Sequence, residues 1–217
     1  MTVGIVVLEV LIVLAVTCGL VLHSRITTGE PRKDMFRYYT NLSNLLLGVY
    51  YLARLVVRIR GSYEGPIGKF VFSECTFYCA TMMIYLTHAI FAFVLTPYFR
   101  KHPENEEGQA LIHSFSSILV HYVSPLLALL TWFIFSDKTQ HLYIWAFTWT
   151  IIPLVYVAYS LIRGADGKNL YKTDSPYPYN FMDPKALGWK RVIVNIVVIY
   201  IIFVLVGAVM IFIRRHI

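Results

Sequence analysis

Six long apolar stretches, separated by shorter polar segments, dominate the pattern of residues along the chain. A helix of about 20 apolar residues, with a rise of about 1.5 Å per residue, crosses the hydrocarbon layer of a bilayer. Each stretch is long enough to form one such helix. The stretches are Val3–His23, Tyr39–Val57, Phe70–Leu95, Ser116–Phe135, Leu142–Ile162 and Val192–Ile213.

The six stretches predict one all-α domain over residues 1–217, a polytopic membrane protein built as a six-transmembrane-helix bundle. No repeat or glycine-rich linker divides the chain. The first stretch has no basic segment before it and no small-residue cleavage motif after it, so we expect a retained helix and not a signal peptide. The longest polar connection, residues 163–190, is rich in Tyr and Pro. This composition favours a loop on the lipid head groups, but a cover over the mouth of a cavity stays open as an alternative.

The composition agrees with an integral, multi-pass membrane protein. Hydrophobic residues make up 58% of the chain and charged residues only 14%, whereas soluble domains carry about 25% charged residues. This excludes a disordered chain, a coiled coil and an ordinary cytosolic enzyme. The net charge of +7 comes from basic residues scattered between apolar runs, so we expect phospholipid head groups as their partner and no nucleic acid. The orientation in the membrane and the oligomeric state stay open.

Three of the predicted helices carry polar residues at steps of three and four, which place them on one helical face. For any single residue, a hydrogen bond between helices is a sufficient explanation. Three such faces together favour a polar cavity that receives a ligand, because unpaired polar groups are costly in hydrocarbon. The residues are Thr40, Ser43 and Asn44 in the second helix, Glu74, Tyr78, Thr81, Tyr85 and His88 in the third, and His113, Ser117, His121 and Ser124 in the fourth.

Thr40 and His121 are the candidate catalytic pair. Their helices begin on the same side of the membrane, and counting residues places Thr40 just below the surface and His121 about 8 Å below it. A neutral imidazole can take the proton of a hydroxyl group, which then attacks an ester carbonyl. Arg32, Lys33 and Arg37 lie at the same surface, where they can hold the carboxylate of a fatty substrate.

A hydrolase site also needs a group that orients the histidine and donors that stabilise the oxyanion. No carboxylate stands near His121, so Ser117, Asn44 or a backbone carbonyl must orient the ring. The side-chain donors for a developing oxyanion are Asn41, Ser43 and Asn44. We therefore expect the substrate-binding side chains to be Asn41, Ser43, Asn44, Ser117, Ser124, His88 and Arg37.

Two other functions stay open. A metal-assisted hydrolase would use His88, His113, His121 and Glu74, but their spacing fits no compact metal-binding motif. The sequence therefore predicts no metal and no cofactor. A non-catalytic lipid-binding or transport protein would use the same cavity without chemistry, although transporters commonly show repeated halves that this chain lacks.

Four segments resemble the androgen-induced protein family and its bacterial six-span relatives. The segment Arg37–Leu46 is similar to the opening of the family's second helix, and His121–Pro125 is similar to its His-x-x-x-Pro motif. Trp149–Tyr156 resembles the fifth helix, with Arg163 and Gly164 beyond it. Tyr177–Asp183 resembles the last loop. The segments follow one another in the family's order over nearly the whole chain.

The resemblance implies an activity and roles for two residues. In the animal members, the family hydrolyses fatty acid esters of hydroxy fatty acids with a threonine and a histidine. By their positions in the motifs, Thr40 takes the role of nucleophile and His121 that of base. The match is nearer to the bacterial branch, which implies a bacterial cytoplasmic membrane as the location.

Overall fold

Six long helices form the fold, and the all-α six-helix bundle predicted from the apolar pattern is confirmed. The computed structural model describes residues 3–29, 31–170 and 173–217. It is 78% helical, with no strand among these residues. Each long helix has the length and apolar composition to cross a membrane. The helices are α1 (Val3–His23), α2 (Tyr39–Arg60), α3 (Glu74–Lys101), α4 (Phe115–Phe135), α5 (Trp145–Gly164) and α6 (Trp189–His216).

The ends of the helices differ from the predicted limits where local signals intervene. Helix α2 continues to Arg60 and ends at Gly61, whose φ of 65° is the left-handed conformation that glycine adopts readily. Helix α3 begins at Glu74 and not at Phe70, because Pro66–Val71 forms a separate short helix. Two further short helices, Glu106–His113 and Pro184–Leu187, precede α4 and α6.

The first four helices form the centre of the bundle. Helix α1 packs against α2 and α4, and α3 packs against the same two helices. Helix α6 packs against the first turn of α5, Trp145–Thr148. Ile12, Leu47, Ile84 and Trp132 are fully buried between the helices. The three helices with polar faces, α2, α3 and α4, are therefore neighbours.

Glycines allow α1 to approach its two neighbours closely. A Cβ atom at Gly19 would lie 2.7 Å from the side chain of Val120 in α4, and one at Gly48 would lie 2.9 Å from that of Val16 in α1. Close approach of helix backbones at small residues is a general way in which membrane helices pack. Both α2 and α4 therefore pack closely against α1.

A buried ion network joins α1 and α2 far from the beginning of α2. The Glu9 carboxylate is fully buried and accepts hydrogen bonds from Arg54 Nε at 2.7 Å and Arg58 Nε at 2.9 Å. Arg54 also donates to the Val71 carbonyl at 2.8 Å, and its guanidinium lies 4.7 Å from the centre of the Phe77 ring. Two cations around one carboxylate are thus supported by a carbonyl and an aromatic face.

We expect Glu9→Ala to destabilise the protein strongly. Removing one partner of a buried ion pair leaves the other charge uncompensated, which lowers the free energy of unfolding by about 3–5 kcal/mol. Unfolding in detergent micelles, followed by circular dichroism, measures this. The control is Glu64→Ala, which breaks the exposed 3.5 Å pair with Lys69 and changes stability by about 1 kcal/mol or less. Equal effects of the two substitutions would contradict a stabilising role for the network.

Candidate active site

The structure brings Thr40 and His121 into direct contact. Thr40 lies in the first turn of α2 and His121 near the beginning of α4. The Thr40 Oγ1 atom is 3.2 Å from the Nε2 atom of His121. Both residues are buried, with 9% and 3% of their surfaces exposed. A hydroxyl and an imidazole are therefore paired in a site that excludes most water.

The second ring nitrogen of His121 fixes the tautomer of the imidazole. Its Nδ1 atom lies 3.0 Å from the backbone carbonyl oxygen of Ser117. A carbonyl oxygen only accepts hydrogen bonds, so Nδ1 carries the proton and Nε2 keeps its lone pair. The ring also stacks on Phe91, with centroids 3.7 Å apart and planes 15° from parallel. The lone pair of Nε2 is thereby directed at the Thr40 hydroxyl.

Pro125 explains the local backbone around His121. In an α-helix, the carbonyl of residue 121 accepts a hydrogen bond from the amide of residue 125, but proline has no N–H. The chain forms a π-helical turn over Leu119–Val123, a form that is frequent at functional sites. The free His121 carbonyl accepts a hydrogen bond from Nδ1 of His88 in α3, at 2.8 Å. The His-x-x-x-Pro spacing thus links α4 to α3 at the site.

Asn44 makes the corresponding link between α2 and α4. Its Nδ2 group donates to the Thr40 carbonyl at 2.8 Å and to the Val120 carbonyl, inside the π-helical turn, at 3.0 Å. Its Oδ1 atom accepts a hydrogen bond from the Ser124 hydroxyl at 2.6 Å. Asn44 and Ser124 therefore fix the separation of Thr40 and His121, since they join the two backbones that carry them.

The other expected oxyanion donors are also bonded within the protein. The Nδ2 group of Asn41 donates to the Met35 carbonyl at 2.6 Å. The Ser43 hydroxyl lies 3.1 Å from the Thr40 carbonyl and 2.8 Å from the Thr87 hydroxyl. The Ser43 hydroxyl and both Nδ2 hydrogens of Asn44 are therefore engaged within the protein, and so is one of the two Nδ2 hydrogens of Asn41.

Ser117 orients His121 through its carbonyl, while its hydroxyl group accepts a hydrogen bond from Ser114 at 2.9 Å.

The basic residues before α2 lie apart from the reacting pair. Arg32 lies over the Tyr38 ring, 5.7 Å from its centre, and Lys33 is exposed. Arg37 is half-buried, and its carbonyl accepts a hydrogen bond from the Tyr156 hydroxyl at 2.9 Å. Among the residues that the structure describes, no hydrogen bond or ion pair joins the side chains of these cations to Thr40.

The four residues considered for a metal site do not form one. His88 and His121 both direct Nδ1 at backbone carbonyls. Within residues 3–29, 31–170 and 173–217, no three His, Cys, Asp or Glu side chains are grouped as metal ligands. His113 and Glu74 therefore stand outside the contact between Thr40 and His121.

An apolar cavity adjoins Thr40. Helices α2, α3, α5 and α6 all contribute to its wall. A second cavity shares Leu86, Val157 and Ile199 with the first and continues to Trp149 and Phe203. The two cavities together offer an apolar path from the Thr40 hydroxyl into the bundle.

Part of the connection between α5 and α6 covers the first cavity. Tyr179, Phe181 and Met182 line its wall, and the rings of Tyr179 and Phe181 stack with centroids 5.4 Å apart. Tyr171 and Lys172 of this connection lie outside the described residues. Tyr179 is a site residue that the helical pattern did not predict, because its signal lies in the dense Tyr-Pro-Tyr sequence of a loop.

No family model matches the chain, and neither does any curated protein or solved structure. The function has therefore to be inferred from the site itself. Its elements are a buried hydroxyl, an imidazole with its lone pair on that hydroxyl, and an apolar cavity beside both.

We expect His88→Ala to destabilise the protein by about 1–3 kcal/mol, because it leaves the buried His121 carbonyl without a donor. His102→Ala is the matched control, since the His102 side chain contacts the exposed residues Glu104 and Tyr98 and contributes about 1 kcal/mol or less. Thermal unfolding in detergent measures both variants. A stability of His88→Ala equal to that of the control would show that the freed carbonyl needs no donor.

Proposed function

We propose that the protein is an intramembrane lipid hydrolase that cleaves fatty acid esters, with Thr40 as the nucleophile and His121 as the base. The proposal depends on one observation, the 3.2 Å contact between Thr40 Oγ1 and His121 Nε2 in the tautomer that the Ser117 carbonyl imposes. The apolar cavity supports a long acyl chain as part of the substrate. The resemblance to the androgen-induced protein family favours fatty acid esters of hydroxy fatty acids or similar esters.

The reaction follows from the positions of the two side chains. His121 Nε2 takes the hydroxyl proton while Thr40 Oγ1 attacks the ester carbonyl carbon, which gives a tetrahedral oxyanion. The carbon–oxygen bond to the alcohol then breaks, and the protonated His121 returns its proton to the leaving oxygen. An acyl group remains on Thr40. Water, deprotonated by His121, attacks this ester, and the fatty acid leaves as the Thr40 hydroxyl is restored.

His121 would act without a carboxylate partner. A carboxylate beside a histidine holds the ring in the right tautomer and stabilises the imidazolium. At this site the Ser117 carbonyl performs the first task as a neutral dipole, and it stabilises the cation less than a full negative charge does. We therefore expect turnover to be slower than in hydrolases that have a complete triad.

Six apolar helices are compatible with a multi-pass location in a membrane. The resemblance favours the bacterial cytoplasmic membrane as that location. The reacting atoms lie near the beginnings of α2 and α4, where the ester groups of lipids lie in a bilayer. A lipid-binding or transport protein without chemistry would need the cavity but not the contact between Thr40 and His121, so substitutions at these two residues distinguish the alternatives.

We expect Thr40→Ala and His121→Ala each to lower the turnover of a long-chain p-nitrophenyl ester by roughly 100-fold or more, the typical contribution of a positioned base. Purified protein in detergent micelles serves for the assay. Thr81→Ala is the matched control, since the Thr81 hydroxyl bonds only to the Phe77 carbonyl within α3. Undiminished turnover by either folded site variant would refute the proposed mechanism.

We expect Ile199→Trp to select against long acyl chains, because Ile199 lines both cavities. The activity on a palmitate ester falls by about tenfold relative to the activity on an acetate ester, equivalent to about 1.4 kcal/mol. Ile201→Trp places the same ring on a position of α6 that is 51% exposed and leaves the ratio unchanged. Equal ratios for the two variants would show that the acyl chain lies elsewhere.

A further inference from the structure

The developing oxyanion of the proposed reaction needs a hydrogen-bond donor that the side chains of α2 do not offer. Such donors lie about 2.7–3.1 Å from the oxyanion. Asn41, Ser43 and Asn44 are bonded within the protein and are not among the residues that line the cavity beside Thr40. The side-chain donors that do line it with Thr40 are Thr87 and three tyrosines.

Three tyrosines line this cavity together with Thr40, and the hydroxyl groups of two of them donate to backbone carbonyls. The Tyr39 hydroxyl donates to the Met83 carbonyl at 3.1 Å, and the Tyr156 hydroxyl donates to the Arg37 carbonyl at 2.9 Å. The phenol of Tyr179, which lines the same cavity as Thr40, instead lies beside the Thr40 hydroxyl, the Tyr156 hydroxyl and the backbone of Tyr39 and Thr40. Tyr179 is thus the phenol that stands beside the nucleophile.

The loop that carries Tyr179 is anchored on both sides of it. Arg163 Nη1, at the end of α5, donates to the Pro176 carbonyl at 2.8 Å. Asn195 Nδ2, in α6, donates to the Phe181 carbonyl at 3.0 Å. Two helices thus hold the loop against the bundle, which positions the Tyr179 ring over Thr40.

The start of the loop also packs closely against the end of α5. Tyr177 is buried with its ring on Gly164, where a Cβ atom would lie 2.1 Å from the ring. Only glycine leaves room for this ring. The close contact places the backbone of the loop near the Thr40 end of the cavity.

We propose that Tyr179 is a catalytic residue whose hydroxyl donates a hydrogen bond to the carbonyl oxygen of the ester as Thr40 attacks it. The inference rests on the proposed function. The backbone amides of Tyr39 and Thr40 lie in the first turn of α2, where helical amides have no helical acceptor, and they approach the phenol oxygen. With that oxygen accepting from the amides, the phenol proton is left for an oxygen on the cavity side, where the Thr40 and Tyr156 hydroxyls also lie.

The protonation state of Tyr179 suits a donor. A phenol ordinarily loses its proton near pH 10, and burial raises the pKa of Tyr179 above that value. The hydroxyl therefore keeps its proton throughout the neutral pH range. When negative charge develops on the ester oxygen, the donor is already in place, so no reorganisation is needed at that moment.

The test compares Tyr179→Phe with Tyr177→Phe on a long-chain p-nitrophenyl ester. Tyr179→Phe keeps the ring and its stacking on Phe181 but removes the donor, so kcat falls by roughly 100-fold or more while KM changes little. Tyr177→Phe removes a phenol oxygen from the same loop and leaves both constants near those of the unsubstituted protein. Thermal unfolding checks that both variants fold, and Tyr179→His, which restores an N–H donor, recovers part of kcat.

A second measurement does not depend on turnover. A long-chain trifluoromethyl ketone forms a tetrahedral adduct with a nucleophilic hydroxyl, so its affinity reports on the oxyanion site. We expect Tyr179→Phe to weaken this affinity by about as much as it lowers kcat, while the affinity for the parent methyl ketone is unchanged.

The outcomes separate this inference from the proposed function. An unchanged kcat for folded Tyr179→Phe, an effect on KM alone, or an equal loss in Tyr177→Phe overturns the role of Tyr179 and leaves Thr40 and His121 as the reacting pair. If the unsubstituted protein neither cleaves the ester nor binds the trifluoromethyl ketone, both proposals are wrong.

Discussion

Pro125 leaves the carbonyl of His121 without its helical donor, and the arrangement of the site depends on how this loss is compensated. A buried carbonyl without a partner is unfavourable, so another element must supply an N–H group. His88 of α3 does so at 2.8 Å. Asn44 of α2 bonds the neighbouring Val120 carbonyl at 3.0 Å. Two helices are thus fixed to α4 by the polar backbone that the π-helical turn exposes.

The hydrogen bonds that join these helices also engage the polar side chains that make them. Asn44, His88 and Ser124 have the residue types of a binding site, but their hydrogen bonds hold helices together. In the proposed reaction, the chemistry is left to the pair that these bonds position, Thr40 and His121. A membrane-embedded site needs such internal partners more than a soluble one does, because lipid cannot satisfy a polar group that lacks one.

The sequence predicted the six helices because length and hydrophobicity decide which segments can cross a bilayer. Their ends were less certain, since the separate helix Pro66–Val71 shortens α3 at its beginning. Similar depth allowed a contact between Thr40 and His121, and the resemblance implied their roles, but the sequence did not show that their helices are neighbours. The candidates to orient His121 were Ser117, Asn44 and a backbone carbonyl, and in the structure the partner is the backbone carbonyl of Ser117. Tyr179 was not predicted, because the position of a loop over a cavity depends on contacts with distant helices.

The hydrogen-bond acceptor of His121 Nδ1 is the main-chain carbonyl oxygen of Ser117, so evolution can change the side chain at position 117 without removing the acceptor. Every amino acid supplies the same oxygen at position 117, so no single substitution there can delete the acceptor. A point mutation at position 117 therefore leaves the acceptor of His121 Nδ1 in place, whereas a point mutation can remove a carboxylate side chain that serves as the acceptor. Only a displacement of the helical backbone itself can turn the imidazole into the wrong form.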